Sequence, residues 1–392
     1  MSLQCDVAVV GGGAAGVPAA VAAARAGAAT VLLEKRAFLG GAAVAGLHRH
    51  ICGLYLNEPT PSAELLNTGL VREIVDRLRR QAPERQPLRL GRVAVLPVDA
   101  RGLQAALTGL ATDETRLRVL LNAPVAAVRT ENGTVASLTT AEGLDIMPRF
   151  VIDSSGDGFV LQGARCAQAP TPEAERQLAG FTVRFKGLTG VDDTMAIQVP
   201  YCLREGVEAR ALPDHLRFTV FSPGGEPDEG FCKLSLPSAA HRETQASDDA
   251  GRVHRYLRDR LPAFRAARIV ETSTEALERE GPRLLGEYTL SAEDVLAARK
   301  FTDSAARNAW PIELWEPRRG PTYRYLTAGE YYEIPLRCLR AKQVGNLLSA
   351  GRCISVTREA LGSTRVVGPC LALGEAAGKE AARLCRTEET RR

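Results

Sequence analysis

The six residues Gly11-Gly12-Gly13-Ala14-Ala15-Gly16 fit G-x-G-x-x-G and constrain the fold of this chain more than any other stretch. Residues 5–10 before them form a mostly apolar run, short enough for a buried parallel strand. After them comes an Ala-rich segment up to Gly27 with strong helix propensity, then residues 29–33, a second strand that ends at Glu34. Each part has a physical task in holding a dinucleotide. Gly11 makes the tight turn, Gly13 lets the backbone approach a pyrophosphate, and Gly16 lets helix and strand pack closely. The helix N-terminus offers free amides to the anion. Glu34, 23 positions after Gly11, is placed to accept the hydroxyls of an adenosine ribose. A carboxylate there favours the unphosphorylated ribose of NAD or FAD over NADP.

Residues 7–24 carry no charge, which taken alone also suits a membrane span or a signal peptide. Asp6 stands where a secretory leader is basic, however, and four glycines and Pro18 interrupt the run. The 392 residues suffice for two domains, or for one large domain with an insertion. The net charge of +4 is spread over 50 basic and 46 acidic residues with no Lys/Arg block, which argues against a nucleic-acid partner. Nine scattered cysteines without C-x-x-C argue against a disulfide framework or zinc site and point to a reducing cytoplasm. Aromatic content of 5% argues against a stacking platform, leaving a small molecule as the expected partner.

Further along, residues 62–80 have helical apolar spacing, 93–96 read as a strand, and Asp99 caps another helix. Strands are expected at 117–121, 125–129 and 135–139, the last two joined by the hairpin signal Asn132-Gly133. Residues 150–158 form an apolar strand that ends in small residues and an acid, the shape of a second backbone approach to a nucleotide and, taken alone, of any strand-to-turn transition. From residue 164 the texture changes. Residues 181–185, 195–199, 216–221 and 231–236 read as strands of an antiparallel sheet, and 248–261 as a helix stopped by Pro262. Ser291 opens another helix with capping-box chemistry. Residues 346–351 are a strand meeting a glycine, and Gly368-Pro369 starts a helix whose N-terminal amides face whatever lies in the cleft.

Three stations carry a family resemblance: the glycine motif through Glu34, then Val151-Ile152-Asp153-Ser154-Ser155-Gly156-Asp157-Gly158, then the tail. The tail contains Tyr332-Glu333-Ile334-Pro335, Gly351-Arg352-Cys353-Ile354-Ser355 and Glu359-Ala360-Leu361-Gly362-Ser363-Thr364-Arg365. On these residues the chain resembles the bacterial FAD-dependent oxidoreductases, Rossmann flavoproteins of the glutathione-reductase type. The resemblance implies an α/β fold: a discontinuous Rossmann-like FAD-binding domain with a β-meander (1–164 and 331–392) and an inserted α+β substrate domain with an antiparallel sheet (165–330). It implies FAD held by Gly11, Gly13, Ala14, Ala15 and Gly16, with Glu34 and Lys35 at the ribose and Val125 beside adenine. Gly41 and Ala42 would line the flavin, and Gly156 and Asp157 the ADP half. Gly351, Arg352, Gly362 and Ser363 would lie near the ring. Hydride transfer to flavin N5 from a small organic substrate is the expected reaction. A monooxygenase is the alternative, and an FAD-containing binding or RNA-modification module the alternative of another class. No second dinucleotide motif and no C-x-x-x-x-C redox pair is present.

The segment His48-Arg49-His50-Ile51-Cys52 departs from the small, apolar residues the family has there. Acid–base work by His48 or His50, covalent attachment of the flavin to His48, His50 or Cys52, and plain loop hydrogen bonding all remain open. His–Arg–His lacks a third ligand for a metal. Arg352 is a candidate catalytic residue. Arg283, Arg352 and Arg365 are candidates for binding an anion or steadying reduced flavin, with a solvated face or a structural ion pair as the plain alternative. Tyr331, Tyr332, Glu333 and Trp310 are candidates for lining a pocket, although aromatic residues in such a unit more often pack the core. His215, His241 and His254 have no acid or cysteine close in sequence that suggests chemistry.

Overall fold

The computed structural model describes residues 2–58, 60, 62–237 and 242–391. It is framed by the parallel sheet that residues 5–34 foretell. β1 (Ser2–Val10), α1 (Gly16–Arg25) and β2 (Thr30–Leu33) make the expected unit. β1 has β2 on one side and the strand Asp145–Asp153 on the other, both parallel, with Val7 opposite Thr30 and Phe150. Leu117–Leu120 adds beyond β2, and Leu347–Ser349 beyond Asp145–Asp153, again parallel. Strands covered on both faces need unbroken apolar runs, and Val7, Ala8, Val9, Leu32, Val151 and Ile152 are fully buried. The hairpin Val125–Glu131 and Thr134–Thr140 hangs antiparallel from the start of Asp145–Asp153. Its turn has Asn132 and Gly133 at φ 48° and 72°, as a two-residue I′ turn demands.

α1 is sandwiched between this sheet and the long final helix Val367–Arg391, and residues 16–24 are all buried. Contact this close needs small residues. A Cβ on Gly374 would come within 2.0 Å of the Ala15 carbonyl oxygen, so the two helices meet backbone to backbone.

A four-stranded antiparallel sheet, in the order Val220–Pro223, Glu229–Leu236, Ala179–Lys186, Arg268–Thr272, has its own core with the helices Met195–Glu208 and Arg242–Arg260. That core spans 179–267. Residues 283–326, expected in the inserted unit, instead give Leu290, Val295, Ala306 and Ile312 to the core of the parallel sheet. The pairing of Ser304–Asn308 with Tyr332–Pro335 draws them there.

Three expected elements differ. Residues 195–199 are not a strand but open the helix Met195–Glu208, whose buried Met195, Val199, Cys202, Leu203 and Gly206 recur at helical spacing. Residues 216–221 split into a 3₁₀ turn, Asp214–Phe218, and the short edge strand. The helix expected at 62–80 begins only at Leu70, because Gly69 turns the chain at φ 65°. Glu375 caps this helix across the molecule, accepting from the Leu70 amide at 2.8 Å. Among the described residues no helix is long and apolar enough to cross a membrane.

Candidate active site

The parallel strands point their carboxyl ends at one cavity of about 570 Å3, where ligands of open α/β sheets bind. Three chain segments far apart in sequence are tied together at its floor. The Ser154 hydroxyl lies 2.9 Å from the Val10 carbonyl and 2.8 Å from that of Gly11, and the Ala350 amide donates to the Asp153 carbonyl at 2.9 Å. Buried Asp153 shapes the middle turn, accepting from the Ser155 amide and hydroxyl and from the Leu161 amide. Its burial holds the carboxyl above the ordinary range despite those bonds. Gly16 stands behind the wall, its Cα so close to Gly11 that a Cβ would meet the Gly11 oxygen at 1.7 Å.

Of the positions singled out in the sequence, Gly11, Gly13, Ala14, Ala15, Glu34, Lys35, Gly41, Ala42, His48, Val125, Gly156, Asp157, Gly351 and Arg352 line this cavity. Gly13 and Gly41 meet backbone to backbone on the wall, where a Cβ on Gly41 would come within 2.8 Å of the Gly13 Cα. Glu34 is buried at the end of β2 and accepts from the amides of Gly12 at 2.6 Å and Arg36 at 2.8 Å. Gly362 and Ser363 are not on the wall. Gly362 backs onto the Glu313 backbone, and the Ser363 hydroxyl bonds the Trp310 carbonyl and the Tyr332 hydroxyl, so this stretch of the tail builds core. Trp310 and Tyr332 are buried there with it, and Arg283 is buried against Thr171 and the Val356 carbonyl.

α2 (Gly41–Ala45) delivers His48 to the cavity. The helix ends in a Schellman turn, with the His48 amide donating to Ala43 and the Leu47 amide to Val44. Leu47 occupies the left-handed position, φ 51°, where glycine is usual. The next residues point elsewhere. Arg49 donates to the Ser222 hydroxyl at 2.9 Å and lies 4.4 Å over the Phe231 ring. His50 and Cys52 sit in β3 (His50–Cys52), paired with Val93–Pro97, and neither lines the cavity. Burial, reinforced by Lys233, Arg279, Arg365 and His50, pushes His48 down to about 3. Burial, with Arg49 and Lys233, pushes His50 down to about 4, and burial raises the Cys52 thiol to about 12.

The antiparallel sheet roofs the cavity with Gly180, Thr182 and Lys233. Thr182 and Lys233 are cross-strand partners, and the Thr182 hydroxyl donates to the Gly46 carbonyl at 2.9 Å. Lys233 and Arg279 escape the sequence reading. Lys233 had a signal: Cys232, Leu234 and Leu236 face the inserted core, so period 2 puts Lys233 on the opposite face. Arg279 had none. Burial first, then Arg279, lowers Lys233 to about 8; burial first, then Arg365, lowers Arg279 to about 9. Burial opposes ionisation of nearby Glu313, yet Arg365, the Trp315 indole, Lys233 and Arg279 hold its carboxyl below the usual range.

Arg352 is on the wall, but as a clasp. It donates to the carbonyls of Gly156 and Glu278 and pairs with Asp157 at 2.5 Å. His215, expected to lack an acid, meets buried Asp249 at 2.7 Å inside the inserted unit, since folding brings together residues 34 apart. His254 bonds the Ala267 carbonyl and tilts against Phe185; His241 lies outside the described residues.

Residues 6–392 match the profile of the family described as FAD dependent oxidoreductase. The chain belongs to that family. The oxidoreductase shares its fold with the anhydrotetracycline hydroxylase OxyS from Streptomyces rimosus, at 13% identity and TM-score 0.55, over 98% of this chain and 63% of that one. It shares it equally with L-proline dehydrogenase from P. horikoshii, at 12% identity and TM-score 0.51, over 99% and 95% of the two chains. No curated protein matches. FAD is the cofactor this family implies, and the residues present fit it: bare glycine backbone at Gly13 and Gly41 on the cavity wall, a helix N-terminus at the glycine turn and a buried acid at the end of β2.

Proposed function

We propose that the oxidoreductase oxidises a small organic molecule held between FAD and the antiparallel roof. Gly11, Gly13, Ala14 and Ala15 would hold the pyrophosphate, Glu34 and Lys35 the ribose, and Val125 the adenine side. Gly41, Ala42, Gly351 and the first turn of Val367–Arg391 would hold the ring. Bound FAD supplies an acceptor for a hydride. The chain itself orients the substrate and moves the proton. His48, kept neutral by burial, has an imidazole nitrogen free to take a proton from the substrate. Roof residues Gly180, Thr182 and Lys233 exclude water from that transfer.

The observation that carries this reading is the convergence of three backbone-lined segments on one cavity with His48 on its wall. Monooxygenation is the second reading, supported by the fold shared with a hydroxylase. Of the three candidates for covalent attachment, His48 alone lines the cavity, so any linkage would form there. The nine scattered cysteines, with no C-x-x-C among them, support a cytoplasmic location. The test is the absorbance spectrum of the purified protein after incubation with FAD, before and after acid precipitation. Yellow supernatant is the expected result, and a yellow pellet would place the flavin on His48. Protein that takes up no FAD refutes the reading.

A further inference from the structure

We propose that the substrate is a small organic acid whose carboxylate is held by Arg279 and Arg365, with Lys233 beside them, an inference that rests on the flavoenzyme reading above. All three cations line the cavity. The other two arginines on its wall are already engaged, Arg36 with Glu34 and Glu275, and Arg352 with Asp157. Arg279 and Arg365 are held but not satisfied. Arg279 is 6% exposed, donates from Nη1 to the Leu178 carbonyl and lies 4.4 Å over the Trp315 ring. Arg365 donates from Nη2 to the Glu313 carbonyl at 3.2 Å. Arg279 Nη2 and Arg365 Nε are buried without any hydrogen-bond partner.

Buried charged donors are rarely left in that state, because nothing replaces the water they gave up. The nearest acid offsets part of their charge without meeting these donors. Glu313 accepts from the indoles of Trp310 at 3.0 Å and Trp315 at 2.5 Å. Two open donors on two fixed guanidinium groups match the two oxygens of a carboxylate. Seating an anion here also has a consequence for His48. The same three cations help to keep that imidazole deprotonated, so neutralising them makes it a stronger base when substrate is present. Binding and proton removal are thereby coupled through one cluster.

The test titrates FAD-loaded protein with benzoate, its neutral isostere benzamide, and phenylphosphonate, following both the flavin spectrum and the heat of binding. Benzoate should bind at least roughly tenfold more tightly than benzamide. Arg279→Gln and Arg365→Gln should each weaken benzoate roughly tenfold or more and leave benzamide unchanged. Arg279→Lys should recover part of the loss. Lys233→Met, which keeps an apolar stem near Trp315, gives an independent reading if an arginine variant does not fold. Yellow protein that prefers benzamide, or binds both alike, overturns the proposal and leaves the flavoenzyme reading standing. Tighter binding of phenylphosphonate replaces the carboxylate with a phosphoryl group and overturns it too. Variants that shift the flavin reduction potential but not benzoate affinity would assign the cations to the cofactor. Protein that takes up no FAD sinks both readings.

Discussion

Lowering the pH from 8 to 5 should cost the native protein about 2 kcal/mol of stability beyond what it costs the His48→Gln variant. His48 ordinarily titrates at 6.5 and is held down to about 3 in the fold. Between those values the unfolded chain binds a proton that the folded chain refuses, so stability falls as the pH drops below 6.5 and levels off near 3. At pH 5 the unfolded group lies about 1.5 units below its midpoint, and at 1.36 kcal/mol per unit the penalty is about 2 kcal/mol. The figure does not depend on the depth of the folded value, provided that value lies well under 5. His50, held down to about 4, adds a penalty of similar size that both proteins share. Urea unfolding of the two proteins at pH 8, 6.5 and 5, with FAD saturating, isolates the difference. Glutamine keeps the polar volume and removes the titration. Parallel pH dependences would mean that water reaching the imidazole keeps it near its ordinary value despite the surrounding cations, and the argument for a neutral base would fail.

Leu47→Gly should stabilise the protein by about 1 kcal/mol, since a leucine at φ 51° is strained where glycine is not; a lower urea midpoint would show that the leucine side chain is worth more than the strain it causes. Gly374→Ala should destabilise by about 2 kcal/mol or more, because its methyl would meet the Ala15 carbonyl, a backbone atom that cannot swing away. An unchanged thermal midpoint for that variant would show that the final helix slides freely over α1.

The βαβ start is legible in residues 5–34 because each of its parts is local: strand, glycine turn, helix and acid follow in one stretch. The hairpin at Asn132-Gly133 is legible for the same reason, since both residues adopt the positive φ that their types favour. The helix Met195–Glu208 is less so, because the short window 195–199 looks like an apolar strand, and only the longer spacing through Gly206 reveals the buried face. The cavity floor is legible in glycines; its roof is not. Arg279 sits in a loop whose partners, Leu178, Trp315 and Arg365, lie 36 to 101 residues from it in sequence, and no local pattern joins them. Ser363 misleads for the opposite reason. Its small size suits a cofactor wall, yet long-range bonds to Trp310 and Tyr332 claim it for the core.

The strand Leu347–Ser349 lies against Asp145–Asp153, next but one to β1, and the last helix covers α1. A ribosome therefore delivers the opening motif long before the segments that complete it. Until residues near 374 emerge, α1 has one bare apolar flank and the glycine turn faces solvent. Nascent chains should consequently be unable to retain the nucleotide, and chaperone contact with α1 should persist until synthesis is nearly finished.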